Sequence, residues 1–77
     1  MEPKDACLRV LEEAAPEALH WTVVLDRALQ ARLLDPFTQP DVRGAVVKSL
    51  ATLAKQGAIA KQSTGVYRAR QPAGEGG

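Results

Sequence analysis

Proline and glycine divide this 77-residue chain into three segments with helical apolar spacing, followed by two short strand-like runs. Apolar side chains in the first three segments recur every three to four residues, which is typical of helices that bury one face. The last two runs are separated by Ser63-Thr64-Gly65, and a short loop that contains glycine is typical of a β-hairpin. A chain of this length forms one domain, because separate cores arise only in considerably longer chains. The order of segments therefore predicts three helices and a C-terminal hairpin within residues 1–70, with 71–77 as a flexible tail.

Proline, glycine and polar residues set the ends of the expected helices. Pro16 and Gly57 each end a helix, because proline disrupts a helix interior and glycine adopts the left-handed conformation of a helix stop. Thr22 is the expected N-cap of the second helix, and either Thr38 or Gln39 is expected to cap the third. The expected elements are helices over about 3–15, 22–32 and from 38 or 39 to 56, a short strand over 18–21, and hairpin strands over 58–62 and 66–70.

The third helix is expected to have one apolar side and one side of small and basic residues. Residues placed at about 100° intervals divide it in this way. A helix that is only solvated carries more Glu, Gln and Lys, so small side chains indicate close approach to a groove or to another protein. The outward residues are Gly44, Val47, Lys48, Ala51 and Lys55. The core predicted from the apolar positions of the whole chain is Leu11, Val24, Leu29, Val46, Leu50, Leu53, Ile59 and Tyr67.

Charge is distributed unevenly along the chain. Residues 1–41 carry four basic and eight acidic side chains, whereas residues 42–70 carry six basic and no acidic ones. The formal net charge is only +1, so the distribution rather than the total indicates a polyanionic partner. The alternative explanation is that a small domain of this kind acquires an uneven charge distribution by chance, without a polyanionic partner.

The chemistry-bearing residues exclude several function classes. Cys7 is the only cysteine and His20 the only histidine, which rules out an internal disulfide and the usual zinc sites. Cys7 is expected to be a buried apolar residue, His20 to cap a strand end, and Trp21 and Tyr67 to be core aromatics. Without a phosphate-binding glycine loop or a nucleophile paired with a base, we expect no enzyme activity, no cofactor and no small-molecule substrate. No membrane span and no secretory signal are expected, and the chain is assigned to the cytoplasm, or to the nucleus in a eukaryote.

The order helix, short strand, helix, turn, helix and hairpin is that of a winged helix-turn-helix, a mainly α fold with a small β-hairpin as its wing. Within this fold the chain resembles the HARE helix-turn-helix family over about residues 6–70. The resemblance implies a DNA-associated module joined to a larger protein, as in restriction endonucleases, chromatin regulators and a bacterial RNA polymerase subunit. The residues that carry the resemblance are Leu19-His20-Trp21, Ala28-Leu29, Leu33-Leu34, the Thr38-Gln39-Pro40 opening, Gly57-Ala58-Ile59 and Gly65-Val66-Tyr67.

Charge and resemblance together predict a regulatory or restriction-type module that binds double-stranded DNA. The third helix is expected in the major groove and the wing on the phosphate backbone. The N–H groups near Thr38 and Gln39 are expected to hold a phosphate, with Asp41 opposing it. A winged helix that contacts a protein partner, without direct DNA binding, is the alternative. The predicted DNA-binding residues are Arg43, Lys48, Ala51, Thr52, Lys55, Lys61, Arg68 and Arg70.

Overall fold

The computed structural model describes residues 2–70, which form three helices and a three-stranded antiparallel sheet. This arrangement confirms the predicted fold class, a mainly helical domain with a C-terminal hairpin and a winged-helix-like topology. The expected tail at 71–77 lies outside the described residues. The elements are α1 (Pro3–Ala14), β1 (Leu19–His20), α2 (Trp21–Gln30), α3 (Val42–Lys55), β2 (Ile59–Ser63) and β3 (Val66–Ala69).

The sheet joins the hairpin to the start of α2. Its strand order is β1-β3-β2, so β3 pairs with both neighbours. Leu19 of β1 lies opposite Tyr67 of β3, and Ile59 of β2 lies opposite Ala69. The register shifts between Lys61 and Ser63, which places Ser63 in β2 rather than in the expected three-residue loop. β3 pairs with β1, and β1 runs directly into α2, so this strand pair joins the hairpin to the start of α2.

The core lies between the three helices and the inner face of the sheet. Every predicted core residue except Leu29 is buried, and Leu29 is half-buried against the others. Tyr67 is buried as expected, whereas Trp21 is only half-buried. Burying this much Leu, Val and Ile surface drives the packing of α1 and α3 on the sheet.

The C-terminal ends of α2 and α3 have the same hydrogen-bond pattern. At α3, Ala58 N donates to Leu53 O and Gly57 N to Ala54 O, with Gly57 at φ +82°. This is a Schellman motif, and it confirms Gly57 as the stop of α3. The corresponding bonds at α2 place Arg32 in the left-handed position at φ +59°, and α2 ends at Gln30, two residues before the expected end.

The predicted cap of α2 is wrong by two residues. His20, not Thr22, is the N-cap, and its Nδ1 accepts a hydrogen bond from Thr22 N at 3.2 Å. The Thr22 hydroxyl lies 2.8 Å from the same nitrogen. The imidazole therefore satisfies an N–H group at the helix start, the role that a Ser, Thr or Asp oxygen usually fills.

The predicted start of α3 is also wrong. Thr38 Oγ1 donates to Asp35 O, and the N–H groups of Thr38 and Gln39 also donate to that carbonyl. Because these three donors are hydrogen-bonded within a local turn, neither residue caps a helix. The phosphate site expected at their N–H groups therefore does not form. The N-cap is Asp41, whose carboxylate accepts from Gly44 N at 3.0 Å.

Candidate nucleic-acid interface

One side of α3 is open to solvent along its whole length. Arg43, Val47, Ala51 and Lys55 are exposed at four-residue spacing, and Lys48 is exposed beside them. Residues four apart lie on the same side of a helix, so these five residues form one surface, which we call the basic face of α3. Val47 and Ala51 lie between the cations Arg43 and Lys55, and Lys48 lies beside them.

One predicted outward residue of α3, Gly44, differs from this picture. Gly44 is half-buried, and the side chain of Asp41 lies over it. A Cβ at this position would overlap the Asp41 carboxylate, so Gly44 leaves room for the helix cap rather than for an external partner. Thr52 is half-buried on the flank of the helix.

The cations of the basic face have no acidic partner within the described part of the chain. Residues 42–70 contain no Asp or Glu, and the ion pair found in residues 2–70 joins Arg9 and Glu13 on α1, at 3.4 Å. That pair is exposed, so it adds little to stability. The positive charge of α3 and of the hairpin is thus left unneutralised by neighbouring side chains.

The three hairpin cations do not converge on one face. Lys61 lies opposite Tyr67 in the register and is exposed, whereas Arg68 lies opposite Ala60 and is half-buried. Directly opposed residues point to the same face of a sheet and successive residues to opposite faces, so Lys61 and Arg68 lie on different faces. Arg70 is exposed, but its Nη1 donates to Gly57 O at 2.9 Å, just beyond the C-terminus of α3.

Trp21 connects the basic face to the wing. The Arg43 guanidinium carbon lies 5.5 Å from the centroid of the Trp21 ring, within the range of a cation–π interaction. Trp21 N donates to Gly65 O at 2.8 Å, and a Cβ at Gly65 would lie 3.1 Å from Trp21 Cδ1. The turn of the wing, the start of α2 and the first turn of α3 therefore meet at one indole ring.

Sequence reasoning did not assign this contact. Trp21 was expected in the core, and its distance from Arg43 along the chain leaves no periodic signal that joins them. The contact depends on how α2 packs against α3, which is a tertiary property. The exposed Phe37 was likewise left unassigned, and 94% of its surface is accessible.

The remaining chemistry-bearing groups are distant from this surface or engaged in the fold. Cys7 is fully buried, and burial raises the pKa of its thiol to about 11, so it is a poor nucleophile and metal ligand. Within residues 2–70, His, Cys, Asp and Glu side chains form no group of three that would hold a metal ion. Every helix in that range falls short of the length and hydropathy needed to cross a membrane.

No protein-family model matches the chain, and comparison with curated proteins and with solved structures gives no match. The fold and the geometry of residues 2–70 are therefore the basis for assigning a function.

Proposed function

We propose that this chain is a DNA-binding winged-helix module of the HARE helix-turn-helix kind. In this proposal α3 enters the major groove, and the β2–β3 hairpin lies along the phosphate backbone. The chain serves as the recognition part of a larger regulatory or restriction protein and performs no catalysis. The observation that carries the proposal is the basic face of α3, which is exposed and whose cations form no ion pair with a carboxylate in residues 2–70.

The dimensions of DNA explain why small central residues favour this function. The major groove is about 12 Å wide, which is close to the diameter of a helix with its side chains. Val47 and Ala51 at the centre of the basic face reduce that diameter, and Lys48 and Lys55 reach outward to phosphates or base edges. A polyanion attracts this surface, because no carboxylate in residues 42–70 opposes it.

The hairpin supplies further positive charge beside α3. Lys61 is exposed on the face that carries the buried Tyr67, and Arg68 lies on the opposite face. Arg70 contributes mainly its charge, since one of its donors is already bonded to Gly57.

Binding to a protein partner without DNA contact is the second candidate function. The observation that favours it is Phe37, an aromatic side chain that is almost fully exposed in the segment between α2 and α3. Exposed aromatic side chains are enriched at protein interfaces.

A salt titration distinguishes these functions. A random-sequence duplex is titrated with the protein at about 50 and about 200 mM salt, since phosphate contacts release counterions. Three phosphate contacts predict a loss of affinity of about fortyfold between these conditions. Absence of duplex binding at both concentrations would contradict the proposed function and leave the protein-binding candidate.

A matched pair of charge variants locates the interface. Lys55→Ala should reduce the salt slope by about one unit, because one phosphate contact is lost. Lys4→Ala removes the same charge from α1, where Lys4 lies near Ser49, roughly 160° around the α3 axis from Ala51. The Lys4 variant should bind as the parent does. Equal weakening in both variants would mean that binding follows total charge rather than the basic face.

A further inference from the structure

We propose that Arg43 reads a guanine in the major groove and that Trp21 is its positioning residue. This inference rests on the proposed DNA-binding function, and it identifies the side chain that gives the module sequence preference.

The contact of Arg43 with the Trp21 ring uses none of the hydrogen-bond donors of Arg43. A cation–π interaction places the charge of the guanidinium over the ring, so its N–H groups remain available to a partner. Arg43 is exposed and makes no hydrogen bond or ion pair to another side chain in residues 2–70. A planar pair of donors matches the O6 and N7 acceptors of guanine, the base edge that arginine contacts most often.

Trp21 is itself held in place. Its backbone N–H donates to Gly65 O at 2.8 Å, its side chain packs against the buried core, and its Cδ1 atom lies close to Gly65. His20 lies beside it, with 5.7 Å between the ring centroids. Because Trp21 is bonded to the wing through its backbone and packed on the core through its side chain, the arginine in contact with its ring loses less freedom when it binds a base.

Each of the other cations that follow lacks either a planar pair of donors or free donors on an exposed side chain. Lys48 and Lys55 carry point charges without a planar pair of donors. Arg68 is half-buried on the hairpin, and Arg70 donates to Gly57 O. Arg43 combines a position in the first turn of α3, a planar donor set and contact with an aromatic ring that packs on the core.

The experiment measures sequence preference separately from affinity. Duplexes with eight randomised central base pairs are incubated with the protein, and the bound fraction is sequenced. The parent protein should enrich guanine at one position. Arg43→Lys keeps the charge, so affinity for the unselected pool and the salt slope should stay within about twofold, while guanine enrichment falls about tenfold. Arg9→Lys, the matched change on the exposed side of α1 and outside the proposed interface, should leave the enrichment unchanged.

Variants of Trp21 test positioning. Trp21→Leu removes the aromatic face and should reduce guanine enrichment without abolishing pool binding, whereas Trp21→Tyr retains a ring and should preserve most of it. Thermal unfolding of each variant shows whether it is folded. Trp21 is the only tryptophan, so its fluorescence should change when the parent binds duplex and change less in the Arg43→Lys protein.

Several outcomes would overturn the proposal, and they differ from failure of DNA binding itself. Salt-dependent binding of the pool without any guanine enrichment would leave the proposed function standing and refute the role of Arg43. An Arg43→Lys protein with unchanged enrichment would refute it as well. An Arg43→Lys protein that loses affinity equally for all duplex sequences would make Arg43 a phosphate contact. A parent protein that binds no duplex would remove both proposals together.

Discussion

His20 shows how one side chain can take a role that its residue type rarely has. Its Nδ1 accepts from Thr22 N, so the ring caps α2 while it also contacts Trp21. We expect His20→Ala to lower the free energy of unfolding by about 1 kcal/mol, because an N–H group at the helix start loses its partner. His20→Asn should recover most of the loss, since asparagine is a preferred N-cap. Urea unfolding of the three proteins measures this, and equal stability of the Ala and Asn variants would exclude a capping role.

Cys7 makes the stability of the domain sensitive to alkaline pH. Burial raises its pKa from 9.0 to about 11, so the thiolate forms more readily in the unfolded chain than in the folded one. The contribution of the neutral Cys7 thiol to the free energy of unfolding is complete below pH 9, and it is lost as pH rises from 9 toward 11. The measurement is the difference in unfolding free energy between the parent and Cys7→Ala, taken at intervals across this range. The difference should shrink as pH rises, and a constant difference would contradict the shift.

At the scale of elements, the two Schellman motifs offer a comparison within one molecule. Gly57 occupies the left-handed position after α3 without strain, whereas Arg32 occupies the same position after α2 with a Cβ that crowds the backbone. Arg32→Gly should therefore raise the free energy of unfolding by about 0.5 to 1 kcal/mol, after the greater freedom of glycine in the unfolded chain is subtracted.

The reverse change at the other helix is the control for this prediction. Gly57→Ala should lower the free energy of unfolding by about 1 kcal/mol, because alanine is strained at φ +82°. Chemical denaturation measures both variants. A destabilised Arg32→Gly protein would mean that the arginine side chain contributes more than its backbone costs.

Apolar periodicity was sufficient to predict the three helices, the hairpin and nearly all of the core. Those features depend on burial of whole faces, which recurs along the sequence and averages over many residues. Helix starts depend on single hydrogen bonds, so the position of a start depends on which nearby group each polar side chain bonds. Thr38 and Gln39 were the two expected caps of α3, but the Thr38 hydroxyl and the N–H groups of both residues donate to Asp35 O, and Asp41 is the cap instead. Aspartate three residues before a glycine was the available signal, because aspartate is among the strongest N-caps.

The exposed residues of the candidate site were predictable from the sequence, whereas its contacts between elements were not. The exposure of Lys48, Ala51 and Lys55 follows from their position on the helix opposite the core. The stack of Arg43 on Trp21 follows from the packing of α2 against α3, and the hydrogen bond of Arg70 to Gly57 follows from the path of β3 beside the end of α3. Neither contact has a signature in a single sequence.

At the scale of the whole molecule, the uneven charge sets the orientation of a bound polyanion. Seven of the acidic side chains of residues 2–41 lie on α1, α2 and the connections before α3, and the eighth, Asp41, caps the start of α3, whereas the cations of residues 42–70 lie along α3 and the hairpin. The first group repels phosphate and the second attracts it, so in the proposed function DNA approaches from the side of the basic face. The small net charge does not oppose this, because the local field near a surface, not the total, governs encounter at physiological salt.

The centre of the basic face is where this orientation is tested most directly. Ala51 is exposed, and glutamate is a good helix former, so Ala51→Glu should leave the thermal stability unchanged. In the DNA complex the new carboxylate would face phosphates, and its size would hold α3 away from the groove. We expect duplex affinity to fall at least tenfold, roughly 1.4 kcal/mol, measured by titration at low salt.

Ala51→Gln is the matched control, because glutamine has nearly the size of glutamate without its charge. Its affinity should lie between those of the parent and the Glu variant, and the gap between Gln and Glu should narrow at higher salt as the repulsion is screened. If α3 contacts a protein instead, Ala51→Glu should abolish that contact and leave duplex affinity unchanged. Unchanged duplex affinity in a folded Ala51→Glu protein would therefore remove α3 from the DNA interface, since a carboxylate cannot enter a phosphate-lined groove without cost.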